Sequence, residues 1–257
     1  MRLNALAGLL VIVLASMTAT AEVRLPKDVQ KVLRDNGLSP RSRPAWNEKY
    51  SIEIRGTEQK PELITGTCPS RPRGRQSIQG KRFTYEADNR GEWGGDLNVR
   101  EGGGPKRSLV RGNTQDLITL SDDLYVFTGL DHLGLSYGAV DIVENYDSNP
   151  NSRPLTVLPE APAVVALDTN WGGFLAVSPL SVSLVTPNGS LHVIMARHAY
   201  LPSPNSVMSM GEADILIGVC GGVAWIHAPW RMHFPPDRDP VAEAANNIPL
   251  VTYWTRQ

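Results

Sequence analysis

Charge of one sign, cysteine, helical periodicity and long apolar runs are all scarce in this chain. Lys and Arg number 25 against 26 Asp and Glu, for a net charge of −1. No basic surplus exists to hold a polyanion, so neither a nucleic-acid partner nor general attraction to an anionic membrane is expected. There are 2 cysteines and 5 histidines. His192 and His198 are six apart, as are His227 and His233, and no Cys stands close to either pair. Neither spacing suits structural zinc, so no metal and no cofactor is expected. After residue 21 no stretch is both apolar and long enough to cross a bilayer.

What is present begins with an export pattern. Arg2 is the only charge before Glu22, Ala5 to Ala15 is an unbroken small or apolar run, and Ala19-Thr20-Ala21 has the small-x-small form that signal peptidase reads. Residues 1–21 are therefore expected to be a signal peptide. The mature protein is expected in the periplasm or outside the cell, and not as an integral membrane protein. That compartment permits a disulfide. Cys68 and Cys220 either bond, closing a long loop, or stay as two buried thiols.

Three further segments follow. Residues 22–67 read as an N-terminal helix, a linker and strands. The helix spans Pro26 to Gly37, with Val29, Val32 and Leu33 at helical spacing. Leu38 to Trp46 reads as linker, and Tyr50 to Arg55 alternates as a strand. Residues 68–82 form a basic stretch, with Arg71, Arg73, Arg75, Lys81 and Arg82, no acid, and Pro and Gly between. It reads as a solvated surface loop.

Residues 83–257 are expected to be a β-repeat domain. Short β-rich runs, from Phe83–Ala87 to Val223–His227, are divided by Gly, Pro, Asn and Asp. Thr186-Pro187-Asn188-Gly189-Ser190 predicts a type I′ hairpin through Asn-Gly. Leu97, Leu124, Leu175 and Ile215 are read as equivalent second-strand positions, at spacings of 27, 51 and 40. Trp93-Gly94-Gly95 and Trp171-Gly172-Gly173 lie 78 apart. A period near 40 with about four strands marks β-propeller blades. The short spacing then needs a shortened blade, and the long one needs a loop, expected at Gly129 to Gly138. The fold class is all-β and propeller-like, with one short N-terminal helix.

On the repeated Trp-Gly-Gly-x-Leu-x-Val pattern and Asp122-Asp123-Leu124-Tyr125-Val126, residues 83–228 resemble bacterial exported β-propeller proteins with YVTN-like, Kelch-like or PQQ-like blades. The resemblance implies a fold and leaves function open.

Four features carry candidate chemistry. Gly134-Leu135-Ser136-Tyr137-Gly138 has the spacing of a nucleophile elbow, although Ala139 to Glu144 is a poor helix to follow it. Asp168 or Asp214, with His198 or His227, would supply its acid and base. Asp131-His132 sets a carboxylate beside an imidazole. Trp93 and Trp171 are candidates for an aromatic platform facing a sugar or peptide, or for wedges between blades. The function expected is a binding or scaffold module with a protein or glycan partner. An ester or carbohydrate hydrolase using Ser136 or Asp131 and His132 is the alternative.

Overall fold

The computed structural model describes residues 25–43, 49–68, 75–132, 135–168, 170–211, 213–228 and 249–256. The expected signal peptide, Arg71, Arg73, Gly134, Trp230 and His233 lie outside them.

Val29 and Leu33 are four apart, so both fall on one face of helix α1 (Lys27–Asp35), and both are buried. Gly37, at φ 75°, lets the chain leave the helix. It turns directly into strand β1 (Leu38–Arg41), where a linker was expected. Pro40 is tolerated there because β1 is an edge strand. A hairpin follows, β2 (Tyr50–Thr57) and β3 (Lys60–Thr67), with Ile54 opposite Leu63.

Four antiparallel sheets come next in chain order. Blade A holds β4 (Gln76–Gln79), β5 (Phe83–Ala87), β6 (Asp96–Glu101) and β7 (Arg107–Arg111). Blade B holds β8 (Thr114–Leu120), β9 (Asp123–His132), β10 (Leu135–Glu144) and β11 (Asn151–Leu158). Blade C holds β12 (Val164–Asp168), β13 (Gly173–Val177), β14 (Ser181–Val185) and β15 (Leu191–Ala196). Blade D holds β16 (Ser206–Met210), β17 (Asp214–Val219), β18 (Gly222–His227) and β19 (Leu250–Arg256), with β1 added beyond β19. The fold is all-β and propeller-like, with α1 as the short N-terminal helix.

The blades stack face to face, and the first strands of neighbouring blades lie side by side. Period-2 alternation makes this possible, because each strand offers one set of side chains to each neighbour. Tyr85, Leu97 and Val99 of blade A meet Leu124, Val126 and Val143 of blade B. Tyr125, Phe127 and Ile142, on the other face of B, meet Phe174, Ala176 and Val185 of C. Leu175, Val177 and Leu184 of C meet Ile215, Ile217 and Ile226 of D. Leu216, Val223 and Trp225, on the far face of D, meet Ile52 and Ile54 of β2 and Val29 and Leu33 of α1. Each such side chain contributes on the order of 1.5–3 kcal/mol when fully buried.

The two outermost faces differ. On blade A, Glu86 pairs with Arg100 at 2.7 Å and also with Lys106. On the hairpin, Glu53 pairs with Arg55 at 2.8 Å. The stack is therefore apolar at every internal junction and charged at its ends.

Three sequence expectations change. Leu97 lies on the third strand of its blade, whereas Leu124, Leu175 and Ile215 lie on second strands. Tyr85 on β5 is the matching position, and the short spacing vanishes with no shortened blade. The two Trp-Gly-Gly stretches are not equivalent either. Trp93 closes a 3₁₀ turn (Gly91–Trp93) between the second and third strands, and Trp171 lies between the first and second. The β14–β15 turn is also not type I′. Only Gly189 has positive φ, at 93°, because Pro187 holds its own φ negative and imposes a type I turn before the glycine.

Cys68 and Cys220 are disulfide-bonded, with Cα atoms 5.5 Å apart. The bond ties the end of β3 to the β17–β18 turn. Beside it Tyr50 hydroxyl donates to Gly221 O at 2.8 Å, and Gly221 N–H donates to Tyr50 O at 2.9 Å. The closed loop spans 152 residues. Replacing both cysteines by Ser is expected to cost roughly 4–5 kcal/mol through loop entropy. Urea unfolding of the oxidised wild type and the double variant measures this, and equal midpoints would refute it.

Candidate functional site

Strands β9 and β10 are ten residues each, against five and six for β5 and β6 of the neighbouring blade. The hairpin they form therefore projects past blade A. Where Gly129 to Gly138 was expected to be a loop, residues 129–132 and 135–138 are strand. The alternation simply continues through it, with Leu130, His132, Leu135 and Tyr137 on the side of blade A and Asp131 and Ser136 on the side of blade C.

That alternation separates the candidate pairs. Asp131 and His132 point to opposite faces. His132 is paired instead with Glu92 of the 3₁₀ turn, Nε2 to Oε2 3.0 Å. Ser136 is opposite Asp131 and faces away from His132. Its Oγ accepts the N–H of Ala161 at 3.1 Å. Gly129 and Gly138 are cross-strand partners, and together they form a notch on the same face. The chain crossing from blade B to blade C lies in it. A Cβ on Gly138 would come within 2.5 Å of Glu160 O, and one on Gly129 within 2.6 Å of Ala161 Cβ. The serine and the second glycine of the elbow-like motif thus seat a crossing chain, on a strand with no helix after it.

An acid and a histidine do meet elsewhere. Asp214 Oδ1 lies 2.7 Å from His227 Nδ1 and accepts the indole N–H of Trp225 at 2.8 Å. This pair sits on blade D, with blade C between it and Ser136. His198 is exposed, and Asp168 Oδ1 accepts the Trp171 backbone N–H at 2.9 Å. Among the described residues no group of three or more His, Cys, Asp or Glu is arranged to hold a metal ion.

The tryptophans separate as well. Trp171 is 5% exposed between blades C and D, and its indole N–H donates to Gly211 O at 2.8 Å. It is a wedge and presents no ring to a ligand. Trp93 is 80% exposed. Leu135 is 72% exposed, Val157 70% and Tyr137 58%. These are the four most exposed large apolar side chains among the described residues, and all belong to this end of blade B or to the turn that touches it. Leu135 neighbours His132 across the hairpin, and His132 holds Glu92, next to Trp93. Val157 is opposite Ala139, on the Tyr137 face. Leu135, Tyr137, Val157 and Glu92 were not singled out in the sequence. The signal available was the Leu135-x-Tyr137-x-Ala139 alternation, hidden by the glycines.

No protein-family model matches the chain, and no curated protein matches it. Among solved structures it is similar to a gluconolactonase from Xanthomonas campestris, at 12% identity and a TM-score of 0.38, over 68% of this chain and 66% of that one. The chain thus spans just under two thirds of that protein. At this TM-score the likeness assigns no residue and no activity to the present chain.

Two outcomes check the projection. Gly138→Ala is expected to destabilise by about 1–3 kcal/mol through the forced contact with Glu160 O, and Ser136→Ala by about 1 kcal/mol. A wild-type urea midpoint for Gly138→Ala would remove the notch. Asp141 lies further down the hairpin face that carries Tyr137, and burial pushes its carboxyl above the ordinary value. Its charged form is disfavoured in the folded chain. The stability linked to it is therefore full below the ordinary carboxylate range and is lost as pH rises through the raised value. Asp141→Asn is expected to melt higher than wild type at pH 7, with the gain shrinking to nothing in acid. A gain independent of pH would contradict this origin.

Proposed function

We propose that this chain is an exported binding module that holds a protein partner on the projecting β9–β10 hairpin and the adjoining 3₁₀ turn. The single observation behind this reading is that the most exposed apolar side chains, Trp93, Leu135, Tyr137 and Val157, all belong to one face of blade B or to the turn that touches it. Large exposed patches of this kind, rimmed by polar groups, mark interaction sites. Here the Glu92–His132 pair stands among aromatic and aliphatic side chains, a mixture found in protein–protein contacts. Leu and Val offer no stacking face to a sugar, which favours a protein over a glycan. The Glu92–His132 pair fixes the hairpin against the turn, so less freedom is lost on binding. Export is supported by the N-terminal pattern and by the Cys68–Cys220 bond, which persists in an oxidising compartment.

The hydrolase reading through Ser136 has less support. Its hydroxyl is engaged by Ala161, and the carboxylate–imidazole pair Asp214–His227 lies on another blade.

The test is cross-linking capture from envelope fractions with wild type, Trp93→Ala/Tyr137→Ala, and Leu250→Ala as an exposed control elsewhere. A protein captured by wild type and the control is expected to bind the double variant at least about 30-fold more weakly, which corresponds to roughly 2 kcal/mol of hot-spot energy. Equal capture by all three, or a glycan as the only ligand lost, would refute the reading.

A further inference from the structure

One carboxylate on the apolar face of blade B has no counterpart. Asp141 is half-buried, and among the described residues no hydrogen bond or ion pair reaches its side chain. The strand register explains why. Its cross-strand neighbours are Val126 of β9 and Pro154 of β11, and its neighbours along the same face are Ala139 and Val143. Val126 and Val143 are fully buried, and Pro154 has no N–H to donate. Four apolar residues thus surround an acid, and burial pushes its carboxyl above the ordinary value.

The row that holds Asp141 runs on to exposed residues. Tyr137, Ala139 and Asp141 share one face of β10, and Val157 stands opposite Ala139. Tyr137 and Val157 are exposed. Four residues of strand set the Cα atoms of Tyr137 and Asp141 about 13–14 Å apart. Between them Ala139 has only a methyl group. This leaves a shallow seat with an aromatic ring at one end, an acid at the other and Val157 along its side. An occupant that matches it has an apolar stem and a positive head. Asp141 belongs to no cluster of His, Cys, Asp or Glu that could hold a metal ion among the described residues, so a bare cation is poorly matched. We propose that the seat takes a Lys or Arg side chain of the protein partner, with its methylenes along Ala139 and Val157 and its cationic head on Asp141. The proposal rests on the reading of this face as a binding surface and adds the chemistry of the partner to it. Long basic side chains lay their stems on apolar surface and direct their charge to a polar group. The Tyr137 ring adds cation–π attraction along the same path. Asp141 has already lost part of its hydration in the free chain, so pairing with a cation removes less water than at an open site.

The test titrates the full mature chain, labelled with ¹⁵N, with two probes. One is acetyl-Leu-Arg-Leu-amide. The other carries citrulline in place of Arg, which keeps the shape and lacks the charge. Saturable shifts of the Ala139, Asp141 and Val157 amide signals are expected with the Arg peptide. Half-saturation is expected at a concentration about 10-fold higher or more with the citrulline peptide, and Asp141→Asn is expected to abolish that preference. Equal half-saturation for the two peptides, shifts confined to other residues, or an undiminished preference in Asp141→Asn would overturn the proposal. Capture from envelope fractions separates this claim from the binding reading beneath it. Asp141→Lys is expected to weaken capture of the wild-type partner about 10-fold or more. A partner lost by Trp93→Ala/Tyr137→Ala yet held in full by Asp141→Lys would keep the binding surface and refute the basic side chain. A partner held in full by both variants would refute the two together.

Discussion

Face-to-face burial of consecutive sheets is the constraint on which everything else in this protein depends. An antiparallel sheet with one neighbour needs one apolar face, and a sheet between two neighbours needs two. Blades B, C and D are of the second kind. Their central strands show it: β13 and β14 are buried at every position, so they read as continuous runs of Phe, Leu, Ala, Val and Ser. Blade A and the β2–β3 hairpin bury one face each. Their other faces carry Glu86 with Arg100 and Glu53 with Arg55. The disulfide adds a covalent tie between a hairpin of two strands and the blade it leans on.

The same constraint creates the surface proposed for binding. A strand longer than its neighbour's strands carries its alternating pattern past the edge of the cover. Leu135 and Tyr137 continue the series that Ala139, Asp141 and Val143 begin, but blade A ends before reaching them. Apolar residues that would be core one turn of chain earlier become a tip. On the other face the hairpin is not free at all. The Gly129–Gly138 notch takes the crossing chain, and Ser136 fastens it. One projection thus has two unlike sides, an exposed apolar surface and a seat for the next blade.

Much of the fold was legible because strand periodicity is local. Phe83–Ala87 is β5 to the residue, and Val223 to His227 falls within a residue of β18. The strands that escaped notice, Leu38–Arg41 and Gln76–Gln79, are short, polar and interrupted by Pro or flanked by Arg. Their pairing comes from distant β19 and from β5, which no local pattern announces. The repeat misled for a related reason. Trp-Gly-Gly can precede any strand, and an apolar residue alternates identically on a second or a third one. Leu97 and Leu124 are alike in sequence context and differ only in which edge of the blade they face.

The candidate site was less legible, for a geometric reason. Spacing along a chain tells which side chains share a face and nothing about what covers that face. Asp131 and His132 were adjacent in sequence and were therefore bound to diverge in a strand, a conclusion available from periodicity once the strand was recognised. That His132 meets Glu92 and that Trp171 is buried while Trp93 is bare depended on the stacking of separate sheets. Class, strand positions and the pool of reactive residues were thus written locally. Partners, burial and the exposed tip were decided only when long-range packing brought remote strands together.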